Sequence, residues 1–335
     1  MRRHRTTLIP LTAAIGALMT GCGGGGGGTA PAPAPPTTGS LSLDVTDAPV
    51  DSASRVLVQF TGVSLQPSEG DPIELAITGD TQTCQQLLDG TPPSATPEGE
   101  DTVRCIDLLA LQGTESSTLL QDVELDAGTY SGLRLKVDGE RGVVDSAIEL
   151  NDGGIESLFI PSGGESGLKL NSSFDILAGG SSRFVIDFDL RKSVNDPQGF
   201  PDYRLRPSLR LVDLSESGGI AGVVAPERLS APECTGDINT GGGYAVYAYT
   251  STDDTPLGEE GSDNAPLTSA SIALNNEGDW SYTLGFLPPG DYRVGFTCQA
   301  SEDDVDNATD GILIVPSVDN PVSVVDGEEA VANFL

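Results

Sequence analysis

Beyond residue 39, apolar and polar residues alternate with a period of two, and helical periodicity is scarce. Leu41, Leu43 and Val45 form one such run, and Phe184, Ile186 and Phe188 form another. Alternation of this kind places the apolar side chains on one face of a strand. Similar runs begin at these further positions: Val56, Leu133, Leu168, Leu205, Tyr244, Trp280 and Tyr292. Short strands separated by Gly-rich turns predict an all-β chain that is folded as antiparallel β-sandwiches.

The strand series is interrupted at Ser215–Gly219, a polar Gly-containing stretch. We therefore predict two β-sandwich domains, residues 39–215 and 219–335, and each is long enough to bury its own core. The stretch Cys84–Leu88 could form a helical turn, which the pattern leaves open. Residues 244, 247 and 249 are tyrosines on both faces of one predicted strand, so we expect some of them to be exposed.

The first 38 residues show no such alternation. A basic start precedes the apolar run Leu8–Met19, which is far shorter than the ~20 residues of a membrane span and is typical of a signal peptide. The run ends at Gly21 and Cys22 and resembles the bacterial lipobox, although Met19 stands where Leu is usual. The resemblance implies a lipoprotein signal at 1–21, cleavage after Gly21 and lipid on Cys22. An ordinary secretory signal is the alternative.

Residues 22–38 contain six glycines followed by alternating prolines, which cannot form a core and predict a disordered tether. By analogy with lipoprotein sorting, Gly23 after the cysteine favours the outer membrane of a Gram-negative bacterium over the inner membrane. We therefore expect a protein of the cell envelope that contacts the membrane through its N-terminal lipid.

Charge and composition exclude several classes of function. Loss of the leader would remove three of the 17 Lys and Arg residues, the single His and both Met residues, and would leave a net charge of −36. Without His, neither a Ser-His-Asp triad nor a His-ligated metal site can form. A nucleic-acid partner is also excluded, because phosphate binding requires clustered cations. Residues 216–335 hold 21 acids and only Arg228 and Arg293, so this half cannot neutralise itself with ion pairs.

Four cysteines remain after Cys22, and two fall in each predicted domain. In an exported chain an even number of cysteines indicates disulfides, and this distribution favours Cys84 with Cys105 and Cys234 with Cys298. A thiolate metal site is the weaker alternative, because the cysteines are not closely spaced.

Two groups of acids could bind a cation. Asp304, Asp306 and Asp310 lie in an oxygen-rich loop that could hold Ca²⁺, although the spacing is not that of an EF-hand and a solvated acidic hairpin is the alternative. Asp47 and Asp51 flank Ala48 and Pro49; they could bind a cation, or Asp47 could cap the turn. No cofactor is expected otherwise.

Two groups of residues could contact a ligand. Arg204, Arg206 and Arg210 all have even residue numbers, so on one strand they would share a face. There they could bind an anionic glycan, or they could pair with Asp187 and Asp189 on the outward face of the preceding strand. Trp280 could stack on a sugar, but its alternation with Tyr282 and Leu284 favours a place in the core.

Two family resemblances follow from short motifs. The opening Leu41–Asp51, the strand Val56–Phe60, the segment Leu125–Tyr130 and the strand Phe184–Phe188 resemble the bacterial lipoprotein family of domain of unknown function 4382, over residues 39–213. Residues 219–335 resemble the carboxypeptidase regulatory-like, transthyretin-type sandwich, through Gly219–Val224, Asn276–Tyr282 and Leu287–Val294. The first family has no assigned function, and modules of the second kind are usually non-catalytic and share a fold with some carbohydrate-binding domains.

These observations predict a non-enzymatic, lipid-anchored binding or structural module of the bacterial envelope, with a glycan or an envelope protein as its partner. A calcium-supported adhesin or carbohydrate binder is the first alternative. A carboxylate-dependent hydrolase is the second, because acids are abundant, although no pair of them stands out.

Overall fold

The computed structural model describes residues 37–48, 53–161, 166–195, 202–250, 253, 257–307 and 311–335. Cys22, the whole predicted signal and tether up to residue 36, Asp51 and Asp310 lie outside the described residues. Within the described part of the chain, no helix is long and apolar enough to cross a membrane.

Strand is the main regular secondary structure of the described residues, as expected from the alternation. The strands that precede residue 214 are, in chain order, β1 (Thr38–Ala48), β2 (Ala53–Pro67), β3 (Ile73–Leu75), β4 (Arg104–Asp107), β5 (Ser117–Asp126), β6 (Gly128–Asp138), β7 (Ala147–Leu150), β8 (Ile155–Phe159), β9 (Leu168–Leu170), β10 (Phe174–Ile176), β11 (Ser181–Asp189), β12 (Val194–Asn195), β13 (Tyr203–Leu205) and β14 (Leu209–Asp213). The later strands are β15 (Gly218–Val223), β16 (Ala245–Tyr249), β17 (Thr268–Ser271), β18 (Ala273–Leu274), β19 (Trp280–Leu287), β20 (Gly290–Thr297), β21 (Val315–Pro316), β22 (Val322–Val324) and β23 (Glu329–Val331).

Helices are few and short. The α-helices that lie wholly within the described residues are α1 (Cys84–Leu88), α2 (Leu190–Ser193) and α3 (Pro226–Leu229), and the 3-10 turns there are Leu108–Ala110, Leu214–Glu216 and Ala300–Glu302. The segment that the sequence left open, α1, is helical because Thr83 and Gln86 form a capping box at its start.

The first sandwich is built from β1–β14. One sheet has the order β14-β11-β1-β5, and the larger sheet has the central order β10-β6-β2-β7-β8-β13-β12 with β3, β4 and β9 attached. Their inner faces form one apolar core that includes Leu43, Phe60, Phe184 and Phe188. The second sandwich has the sheets β18-β19-β15-β23 and β17-β16-β20-β21, with β22 on β20, and a core of its own around Tyr244, Trp280 and Phe296.

Two features differ from the expectation. Most strand pairs are antiparallel, but β1–β11, β8–β13 and β15–β23 are parallel. Tyr244, Tyr247 and Tyr249 are all at most 1% exposed, so the expectation that some are exposed is wrong. Tyr244 faces the sandwich core, and a second apolar cluster that includes Leu257 and Ile312 covers the other face of β16.

Both expected disulfides are present. Cys84 is bonded to Cys105, which joins α1 to β4, and Cys234 is bonded to Cys298, which joins the segment after α3 to the residue after β20. Each bridge therefore lies within one sandwich.

Candidate functional site

A group of buried charges lies where the two sandwiches meet. It is formed by Asp187 and Asp189 at the end of β11, and by α2, which follows directly. The Asp189 carboxylate caps α2 by accepting a hydrogen bond of 3.2 Å from the backbone N–H of Lys192. This cap fixes Arg191 and Lys192 beside the second sandwich.

Three cations of the first sandwich donate hydrogen bonds to backbone carbonyls of the second. Arg191 donates to Ala300 O at 2.9 Å, Lys192 donates to Pro266 O at 2.6 Å, and Arg210 donates to Phe286 O at 3.1 Å. We call Arg191, Lys192 and Arg210 the interface cations. They supply positive charge to a half of the chain that has almost none of its own.

Lys192 also joins two buried carboxylates. Its Nζ lies 2.7 Å from Asp189 Oδ2 and 3.1 Å from Glu260 Oε2, and Glu260 is fully buried. The contact between Lys192 and Glu260 is an ion pair only. Neither carboxylate oxygen of Glu260 has a hydrogen-bond donor of good geometry among the described residues. Burial and the charge of Asp189 raise the pKa of Glu260 to about 8, against the opposing effect of Lys192. Burial alone would lower the pKa of Lys192, but Asp189 and Glu260 together raise it.

Tyr247 and Asp303 extend the group on the side of the second sandwich. The Tyr247 hydroxyl donates to Asp303 Oδ2, and Asp303 Oδ1 accepts a hydrogen bond of 3.0 Å from the backbone N–H of Glu260. The Arg191 guanidinium lies 6.0 Å from the centre of the Tyr247 ring. Burial raises the pKa of Tyr247 well above its ordinary value, so this hydroxyl remains a donor.

Asp47 is the most unusual carboxylate of the group. It is 5% exposed, and neither of its oxygens has a hydrogen-bond partner among the described residues. Burial raises its pKa well above the ordinary value, and the charges of Asp187 and Asp189 raise it further; the Leu190 amide acts in the opposite direction but does not reach hydrogen-bond geometry. The turn that Asp47 could cap, around Pro49 and Asp51, lies outside the described residues, and the Asp47 side chain is buried beside the other acids.

A bulge in β19 brings the second sandwich close to the first. The register of β19 against β15 shifts at residues 285–286, and Phe286 has a left-handed φ of 53°. The Phe286 carbonyl accepts the hydrogen bond of Arg210. A Cβ on Gly285 would lie 2.1 Å from Gly113 O in the first sandwich, so the close approach requires glycine at this position.

The three arginines do not share one strand face. Arg204 lies in β13 of the larger sheet, whereas Arg210 lies in β14 of the smaller sheet. The chain passes from the larger sheet to the smaller one around Pro207. Arg210 pairs with Asp187 at 2.5 Å in the register expected for neighbouring strands. Asp187 and Asp189 lie on the face of β11 that points away from the core, as expected, but they are only 6% and 5% exposed because the second sandwich covers this face.

The other predicted ligand contacts are dispersed. Trp280 is 9% exposed and belongs to the core of the second sandwich, which leaves little of its ring for a sugar. Arg206 is exposed and lies between β13 and β14. The described residues contain no group of three His, Cys, Asp or Glu side chains that could hold a metal ion, and Asp304 accepts a hydrogen bond from the backbone of Asp306.

A polar groove on the first sandwich is a second candidate site. Its volume is about 440 Å³, and it opens between β10, β11 and β14. It is lined by five serines, three acids and four apolar side chains: Ser172, Ser173, Ser181, Ser182, Ser215, Asp175, Asp213, Glu216, Phe174, Phe184, Leu177 and Leu211. Asp213 accepts hydrogen bonds from the backbone and the hydroxyl of Ser215 at 2.8 and 2.6 Å, which holds its carboxylate in place.

Sequence reasoning missed the interface cations at 191 and 192, and Glu260. One signal was available: Arg191 and Lys192 are the only adjacent cations after residue 5 in a chain that is poor in cations. Glu260 carried no signal, because it is one acid among many.

A family model described as "Domain of unknown function (DUF4382)" matches residues 38–207. No curated protein matches the chain. Among solved structures, the chain is similar to the Bacillus anthracis TIE protein at 9% identity and a TM-score of 0.18, covering 89% of this chain and 34% of the other. It thus spans about a third of the length of that protein.

Two other solved structures match this chain with similarly low sequence identity and TM-score. The minor pilin GBS52 of Streptococcus agalactiae is 12% identical with a TM-score of 0.16, covering 88% of this chain and 97% of the pilin. A putative cell adhesion protein from Bacteroides fragilis is 7% identical with a TM-score of 0.19, covering 88% of this chain and 92% of the other. Similarities this weak carry no functional argument.

Proposed function

This protein belongs to the DUF4382 family, a domain of unknown function, and we propose that it is a non-catalytic, lipid-anchored binding or structural module of a bacterial cell envelope. The observation that carries the proposal is the contact between the sandwiches. Its buried charges are engaged in docking: each interface cation donates to a carbonyl of the second sandwich. The protein would thereby present two domains as one body.

The location rests on three features of the chain. Cys22 follows a lipobox-like leader, the sequence of residues 22–36 is rich in Gly and Pro, and both disulfides join cysteines as expected of an exported protein. A lipid at Cys22 would hold the body at a membrane, because a surface of such negative charge is repelled by anionic headgroups.

Replacement of the lipidated cysteine tests this location. The full-length chain and Cys22→Ser are expressed in a Gram-negative host that is fed a labelled fatty acid, and the membranes are fractionated. We expect label and outer-membrane association for the natural chain and neither for Cys22→Ser. Equal membrane association of both chains would contradict a lipid anchor.

Carbohydrate binding at the polar groove is a second candidate function. Hydroxyls and carboxylates along an open groove match the hydroxyls of a sugar, and the apolar atoms of Leu177, which is 59% exposed, could contact a sugar ring. A glycan array probed with residues 36–335 and with Asp213→Asn tests this. We expect signals that Asp213→Asn weakens and that Arg206→Ala, outside the groove, leaves unchanged. Signals unaffected by Asp213→Asn would rule out the groove.

A further inference from the structure

A small cavity lies within the contact between the sandwiches. Asp47 and Asp187 line it from the first sandwich, and Ser269 and Phe286 line it from the second. Its volume is about 10 Å³, which is close to the minimum of roughly 10–15 Å³ that accommodates a single water. The cavity therefore fits one small occupant.

Two side chains that line this cavity lack partners. Both oxygens of Asp47 and the Oγ of Ser269 are without hydrogen bonds from the described residues, although each residue is only 5% exposed. Buried polar groups in folded proteins nearly always have a partner. The two residues come from different sandwiches, so one occupant would satisfy both and would link the two halves.

Charge identifies the kind of occupant. Asp187 is paired with Arg210 and Asp189 is paired with Lys192, whereas the described residues include no ion-pair partner for Asp47. Among the described residues no three acidic, His or Cys side chains are arranged to hold a metal ion, so the site does not provide the several carboxylates that a divalent ion such as Ca²⁺ takes. One unpaired carboxylate is balanced by one positive charge.

We propose that this cavity binds a single monovalent cation of the size of Na⁺, through the carboxylate of Asp47 and the hydroxyl of Ser269. The bound ion offsets the cost of burying the Asp47 charge and adds a connection between the sandwiches. An ion that binds the folded protein and not the unfolded chain raises the melting temperature in a saturable way.

The test is thermal unfolding of the full-length chain at constant ionic strength, with Na⁺ replaced stepwise by choline, which is too large for the cavity. We expect the melting temperature to be higher in Na⁺ by about 5 °C, with saturation as Na⁺ rises. Constant ionic strength separates site binding from general screening of the acidic surface.

Three variants and one spectroscopic measurement complete the test. Asp47→Asn should abolish the Na⁺-specific shift and Ser269→Ala should reduce it, while Asp279→Asn, which removes an equal charge from an exposed hairpin, should retain it. If Asp47→Asn does not fold, ²³Na relaxation of the natural chain and Asp279→Asn provides the measurement, and both should show the same saturable bound Na⁺.

Two outcomes would overturn the proposal. A melting temperature that is the same in Na⁺ and in choline would mean that a water fills the cavity. The second outcome is that the melting temperature of the natural chain depends on pH but not on Na⁺, and that Asp47→Asn is at least as stable as the natural chain. This result would mean that a proton neutralises Asp47.

Discussion

Replacement of Lys192 by Met should destabilise the protein strongly. The ammonium of Lys192 lies 2.7 Å from Asp189, 2.6 Å from Pro266 O and 3.1 Å from Glu260, and the two acids are 5% and 0% exposed. Two hydrogen bonds that involve a charged group contribute roughly 1.5–3 kcal/mol each. Removing one partner of a buried ion pair costs about 3–5 kcal/mol, because a buried charge is left uncompensated. The two hydrogen bonds together and the broken ion pair, taken as separate ways to reach the same figure, each give a loss of about 4 kcal/mol in the free energy of unfolding.

Lys136→Met is the matched control for this substitution. Lys136 lies 2.7 Å from Glu74, but the two side chains are 48% and 56% exposed, and ion pairs of this kind contribute less than about 1 kcal/mol. Both variants remove one lysine charge. Urea unfolding followed by the fluorescence of Trp280, the only Trp, reports the free energy of unfolding.

A double-mutant cycle tests the reason for the loss. Asp189→Asn in the Lys192→Met background should recover about 1–2 kcal/mol, because the buried charge that Lys192 compensated is then absent and Asn can still cap the helix. Equal stability of Lys192→Met and Lys136→Met, within about 0.5 kcal/mol, would refute the reasoning.

Three further predictions concern other parts of the molecule. Gly285→Ala should destabilise the contact by about 2 kcal/mol or more, since its Cβ would lie 2.1 Å from Gly113 O, and urea unfolding measures this with Gly242→Ala, an exposed glycine without a left-handed φ, as the control. The free energy of unfolding should fall by up to about 4 kcal/mol as pH rises from 4.5 to 8. The folded-state pKa of Glu260, about 8, lies above its unfolded value, so the stabilising contribution of this group is present at low pH and lost through that range. Glu260→Gln should flatten the dependence of the unfolding free energy on pH. Joint replacement of Cys84 and Cys105 by Ser should cost about 3 kcal/mol, and a change below about 0.5 kcal/mol would count against a structural role for the bridge.

The alternation of apolar residues was sufficient to predict the cores. Phe184, Ile186 and Phe188 are buried on one face of β11, as period-two alternation requires, and both disulfides are also as predicted. These features depend on local chemistry or on the count of cysteines in each half of the chain.

The contact between the sandwiches could not be predicted in the same way. Alternation shows that Asp187 and Asp189 leave the core of the first sandwich, but it does not show what covers the other face of the strand. The prediction that Arg204 and Arg210 share a strand face was also wrong. Even spacing places residues on one face only within a single strand, and the chain changes sheets between these two residues. Contacts between distant segments determine both features, and the sequence pattern contains only local periodicity.

Differential scanning calorimetry of the full-length chain tests the central claim, that the interface cations hold the two sandwiches together as one unit. We predict one transition whose calorimetric and van't Hoff enthalpies agree, and two separate transitions when Arg191, Lys192 and Arg210 are all replaced by Met. Two transitions in the natural chain, or a single unchanged transition in the triple variant, would contradict it.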